Sequence, residues 1–92
     1  MRDSPIRWTQ ASVAGVPLRR FVGYVGAIEV GTVEWDGSSG FWTWYSRLAD
    51  DAWGHAQTEH GAMKAFGAWL RGWLENFRPF FESGKTPWCS PP

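Results

Sequence analysis

The stretch TEHGAMKAFGAWLRGWLENFR, Thr58 to Arg78, decides how the rest of the chain is read. At about 100° per residue, Ala62, Met63, Phe66, Trp69, Leu70, Trp73, Leu74 and Phe77 share one arc of roughly 140°. Lys64, Arg71, Glu75 and Arg78 lie on the opposite side. This is the pattern of a helix with one face on an apolar surface and its back in water. Thr58 suits an N-cap, because its hydroxyl can accept from an orphan amide of the first turn. Glu59 places negative charge at the positive end of the dipole. Pro79 cannot continue the hydrogen-bond ladder, so the helix is expected to stop near Phe77 or Arg78. Gly61, Gly67 and Gly72 each cost about 1 kcal/mol against alanine, which leaves tertiary packing to stabilise the helix. Gly67 borders the apolar arc, where a strand backbone or an indole can approach, or where a glycine is simply tolerated.

What the helix packs on comes before it. FVGYVGAIEVGTVEW, Phe21 to Trp35, is rich in β-branched and aromatic residues. It reads as two strands, Phe21–Val25 and Ile28–Trp35, turning at Gly26-Ala27, or as one long bulged strand. Alternation in the second half puts Val33 and Trp35 inside. DGSSG, Asp36 to Gly40, is the clearest turn signal. In FWTWYSRL, Trp42, Trp44 and Leu48 share one face, expected to meet the helix; Phe41, Tyr45 and Arg47 share the other. A turn at Ala49–Asp51 and a short strand in AWGHAQ lead into Thr58. Upstream, IRWTQASVAG reads as a short edge strand or an ordered loop, which Pro17 and Arg19-Arg20 bring to an end. The expectation is a two-layer α+β domain of the βββα or ββββα type: a three- to four-stranded antiparallel sheet packed on one C-terminal amphipathic helix. One domain spans residues 1–92, with an ordered core over about 6–82 and tails at 1–5 and 83–92.

Composition fits a small core built from large pieces. A chain of 92 residues buries only about 60–65% of its unfolded surface. Eight tryptophans and six phenylalanines make that core dense, since each ring can bury about 150–250 Å². Net charge is zero, without the basic excess that phosphate binding favours. Cys89 is the only cysteine, which precludes an intrachain disulfide and suits a reducing compartment. No run is long enough to span a bilayer, and MRDSPIRWTQ lacks the apolar stretch of a signal peptide. The expected location is the cytoplasm of a bacterium or of a phage-infected cell.

Catalytic chemistry has little to stand on. His55 and His60 with Glu59, Asp50 or Asp51 match no standard metal-ligand spacing. Cys89 lies in a Pro-rich tail with no basic neighbour in sequence. Ser38, Ser39 and Ser46 lack a nucleophile-elbow pattern, and there is neither a P-loop nor a dinucleotide fingerprint. The GxxG from Gly23 to Gly26 is flanked by strands rather than helices, so it reads as turn chemistry. The chain is therefore expected to be no enzyme and to need no metal or cofactor.

Two surfaces remain as candidate binding sites. One is the open sheet face with Tyr24, Phe41, Tyr45 and Arg47, whose rings beside an arginine suit stacked bases or a protein hot spot. Alternatively, Ile6–Val16 folds across that face, with Trp8 as a plug. The other is a ridge of Lys64, Arg71 and Arg78 at seven-residue intervals along the helix back, equally readable as an ordinary solvated face. Trp88 in the tail could anchor on a partner or dock on its own domain.

GHAQTEHGAMKAFGAWL, Gly54 to Leu70, resembles the strand-to-helix junction of double-stranded-RNA-binding domains. The helix also resembles those that follow three-stranded sheets in AP2-type and integrase arm-type DNA-binding domains. The resemblance implies a sheet-plus-helix architecture and nucleic acid as a partner class. Where the RNA-binding family opens its helix with phosphate-gripping lysines, this chain has Glu59 and His60, and of the arginines that the DNA-binding relatives read with, only Arg47 is well placed. With VGTVEW and FWTWY, the chain is also similar to short strand-rich bacterial and phage proteins of uncharacterised function. The combined expectation is a small binding module, bacterial or phage, acting on a protein partner, with nucleic acid as the alternative and no membrane association.

Overall fold

A computed structural model describes residues 5–82. Five strands form one antiparallel sheet in sequential order: β1 (Arg7–Val13), β2 (Val16–Val25), β3 (Ile28–Asp36), β4 (Phe41–Ser46) and β5 (Trp53–Ala56). Helix α1 (Glu59–Leu74) crosses one side of the sheet. A 3₁₀ turn, Glu75–Phe77, and a short helix α2, Arg78–Glu82, follow. The class is α+β as expected, with five strands rather than three to four.

The additional strand comes from the N-terminal segment. Pro17 and the arginine pair do not end it; β2 starts at Val16 and runs through all three. Pro17 is tolerated because it lies at the strand's start, against Ser12, beside a register shift between Gln10 and Ser12. Ala14 and Gly15 join β1 to β2 with φ of 52° and 79°, the paired positive φ of a type I′ hairpin. The turn at Gly26-Ala27 is where sequence places it, and Gly26 has φ 62°. A second register shift makes Val30 an extra residue of β3, since Tyr24 pairs with Glu29 while Gly23 pairs with Gly31. The bulge turns Val30 into the core beside Ile6, Phe66 and Leu70.

Phe66 is the centre of that core. Its ring lies on the backbone of β3, where a Cβ at Gly31 would come within 2.5 Å of Phe66 Cε1. Trp8 and Trp44 meet it edge-on at 5.7 and 6.1 Å between centroids. Trp69 continues the cluster at 6.0 Å and stacks on Trp73 at 5.9 Å. Strand glycines make room for the other rings in the same way: Gly23 under Trp8 and Gly54 under Trp44. Trp42 is on the helix-side face, but it packs against Trp35 and Phe21, at 5.8 and 6.3 Å, rather than with the Phe66 group. Trp35, expected inside, is half-buried, with Arg19 above its ring at 5.2 Å.

Thr58 caps α1, its Oγ1 accepting from Gly61 N–H at 2.9 Å. Gly67 meets neither indole nor strand backbone; a Cβ there would touch only Ile6 Cδ1, at an ordinary 3.9 Å. The helix end differs from expectation. The Glu75 N–H is shared among the carbonyls of Arg71, Gly72 and Trp73, which tightens the chain into the 3₁₀ turn. Pro79 does not stop the helical segment. It lies in the first turn of α2, where its missing N–H leaves no bond unmade. In the apolar arc Ala62, Phe66 and Leu70 are buried and Met63, Trp69 and Trp73 half-buried, while Leu74 and Phe77 are exposed.

Candidate binding surface on the open sheet face

The strand register fixes what the other side of the sheet presents. One row across it runs Thr9, Val22, Thr32, Tyr45, Trp53; the next runs Arg20, Glu34, Thr43, His55. Arg7, Tyr24 and Glu29 lie on the flank near Arg47, and Phe41 pairs with Asp36 at the far end. The Ile6–Val16 segment does not cross this face. Its backbone is needed as β1 at the sheet edge, and its plug candidate, Trp8, points to the helix side and packs on Phe66. Among the described residues no element packs over the open face.

The rings there form one group. His55 lies 5.8 Å from Phe41 and 5.4 Å from Trp53, centroid to centroid, and its Nδ1 is 3.2 Å from Thr43 Oγ1. Trp53 is 59% exposed and Phe41 39%, so both present apolar area to water. Tyr45 pairs with Trp53 and is half-buried over Thr32, which is itself buried. Burial, and then the nearby Glu34 charge, raise the Tyr45 phenol above its ordinary pKa. Tyr24 lies under the Arg7 guanidinium, 4.9 Å from its ring centroid.

Two of the three arginines of the face are ion-paired. Arg20 pairs with Glu34 and Arg47 with Glu29, each at 3.6 Å. Such exposed pairs add little stability; Arg7, over Tyr24, has no carboxylate partner among the described residues. Asp36 accepts from the Ser38 hydroxyl at 2.8 Å and its amide at 3.1 Å, which holds its carboxyl below the ordinary value.

The four sheet residues singled out from sequence, Tyr24, Phe41, Tyr45 and Arg47, lie on this one face. Trp53 and His55 belong with them and escape a sequence reading, because alternation over a four-residue strand is too short to register. The residues of the helix ridge fall on two helical elements rather than one. Lys64 and Arg71 are exposed on α1, but Arg78 follows the 3₁₀ turn and is engaged by Glu75 at 2.7 Å and Glu82 at 3.0 Å. These carboxylates raise its already high pKa. His60 is exposed in the first turn of α1, apart from the ring group of His55. Among the described residues no group of three or more His, Cys, Asp or Glu is placed to hold a metal. No described helix is long and apolar enough to cross a membrane. Trp88 and Cys89 lie outside the described residues.

The fold and this face define an α+β domain with one sheet side covered by a helix and the other covered by no described element. No protein-family model, curated protein or solved structure matches the chain.

Proposed function

We propose that the protein is a small non-enzymatic binding module whose open sheet face takes a protein partner, in a bacterial or phage regulatory or inhibitory role in the cytoplasm. The observation that carries this reading is Trp53. It is a largely exposed indole, grouped with His55, Phe41 and Tyr45 on a face that no described element covers. Aromatic groups of this kind are the usual anchors of protein interfaces. An open antiparallel sheet face is a common place to present them.

Nucleic acid is the competing partner, and the charges weigh against it. Arg20 and Arg47 are matched by Glu34 and Glu29, which leaves Arg7 as the one cation without a carboxylate partner among the described residues of the face, offset in count by Asp36 near Phe41. Affinity for phosphate depends on unmatched cations and falls steeply with salt.

The test is the double substitution Phe41→Ala with Trp53→Ala. Both side chains are exposed, so circular dichroism and unfolding should stay near those of the parent, while the complex recovered from native cell extract is lost. Retention of the complex would overturn the reading. So would salt-sensitive binding to duplex or single strands, which the balanced face is expected not to show.

A further inference from the structure

We infer that two copies of the chain associate through their β1 strands, antiparallel about a two-fold axis at Gln10, to form one continuous ten-stranded sheet. β1 is an edge strand, with β2 as its only substantial neighbour among the described residues. One row of its backbone N–H and C=O groups therefore points away from the sheet. Edge strands are ordinarily blunted by shortness, by charged side chains and lysine above all, by proline or by a bulge. β5, at the opposite edge, is four residues long and runs directly into the capped helix. β1 is seven residues long, RWTQASV, with no proline and a single charge, Arg7, at its first position. The register shift beside it puts the surplus residues on β2, leaving β1 itself regular.

The strand is also complementary to itself. In a two-fold antiparallel pair, directly opposed residues share a face, so the axis must pass through a residue rather than between two. Only an axis at Gln10 pairs all seven residues. Thr9 of one copy then faces Ala11 of the other, Trp8 faces Ser12, and Arg7 faces Val13. Arg7, the single charge of the strand, meets no like charge across the axis. Val13 and Val16, each 61% exposed, come beside Arg7 and its Tyr24 ring in the other copy. The hairpin tip Ala14–Gly15 comes level with Pro5 and Ile6 of the other copy. Those two residues form one side of an open groove of about 260 Å³, with Leu70, Leu74, Arg71 and Glu75 along the rest. Zero net charge adds no long-range repulsion between copies. The pairing leaves Phe41, Trp53 and His55, at the other edge, free for a partner, so it stands independently of the proposed function.

Sedimentation equilibrium tests the pairing. The parent should show concentration-dependent growth toward twice its 10.4 kDa mass, with a dissociation constant of roughly 1–100 μM for a small interface. Thr9→Lys with Ala11→Lys sets lysines opposite lysines and should weaken association roughly tenfold or more. Mixing it with Thr9→Glu, Ala11→Glu should restore pairing as a heterodimer. In a Cys89→Ser background, Gln10→Cys should form an intermolecular disulfide on oxidation. Ser12→Cys should not, because the two copies of that position lie roughly 13 Å apart. A monomer up to about 1 mM, beyond the affinities expected for such an interface, overturns the inference. So does a dimer insensitive to the lysine pair while circular dichroism reports the parent fold.

Discussion

Gly31→Ala is expected to destabilise the protein, although alanine is the better residue for a strand. Replacing glycine by alanine in a strand interior ordinarily gains roughly 0.5–1 kcal/mol. At this position the new Cβ would lie 2.5 and 2.6 Å from Phe66 Cε1 and Cζ and 2.9 Å from the Tyr45 carbonyl oxygen. The ring cannot move aside, because Trp8, Trp44 and Trp69 hold it on three sides. The carbonyl belongs to the β3–β4 ladder and cannot retreat without breaking pairing. Overpacking of this kind costs about 1–3 kcal/mol, which outweighs the propensity gain. In a domain of this size each kcal/mol shifts Tm by roughly 4–8 °C. Gly72→Ala is the matched control. It is exposed on α1 with nothing within 4 Å of its Cβ position, so helix propensity alone should stabilise it by up to about 1 kcal/mol. Thermal and urea unfolding of the two variants should thus move in opposite directions. A Gly31→Ala protein as stable as the parent would refute the placement of Phe66 on the β3 backbone, and with it the seat of α1.

Other consequences are smaller. Thr58→Ala removes the acceptor of the Gly61 amide and should cost about 1 kcal/mol, read by urea unfolding. Asp36, held below its ordinary pKa by Ser38 first and then Ser39, stabilises the folded turn when ionised. That contribution is present above the ordinary carboxylate value and is lost as pH falls through the lower folded value. Ser38→Ala should return the Asp36 pKa toward ordinary, measured by NMR titration of the side-chain carboxyl; an unchanged pKa would mean that the hydroxyl is not its partner.

The helix is legible in the sequence because its signals are local: a sustained 3.6-residue period and a threonine at the cap. Its end is less so. Carrying the same period through Glu75 to Arg78 assumes one helix, whereas a shared N–H at Glu75 changes the pitch before Arg78 is reached. The sheet is legible where alternation is clean, as in Phe41–Ser46. It is obscured in Val16–Val25, where arginines, a proline and a glycine occupy a strand whose outer half projects past the helix. Gly23 and Gly31 interrupt an apolar and β-branched run in the sequence, although they are the positions where Trp8 and Phe66 lie against the backbone. Trp53 is legible as a large apolar residue, but its orientation follows only from the pairing of Tyr45 with it across the sheet edge.

Photo-crosslinking in the native cell tests the central claim most directly. A photoreactive amino acid is placed in turn at Phe41, Trp53, Lys64 and Arg71. A free sheet face that takes a protein partner should give one protein adduct of the same mass from positions 41 and 53 and none from positions 64 and 71. An adduct formed from the helix positions alone would contradict it.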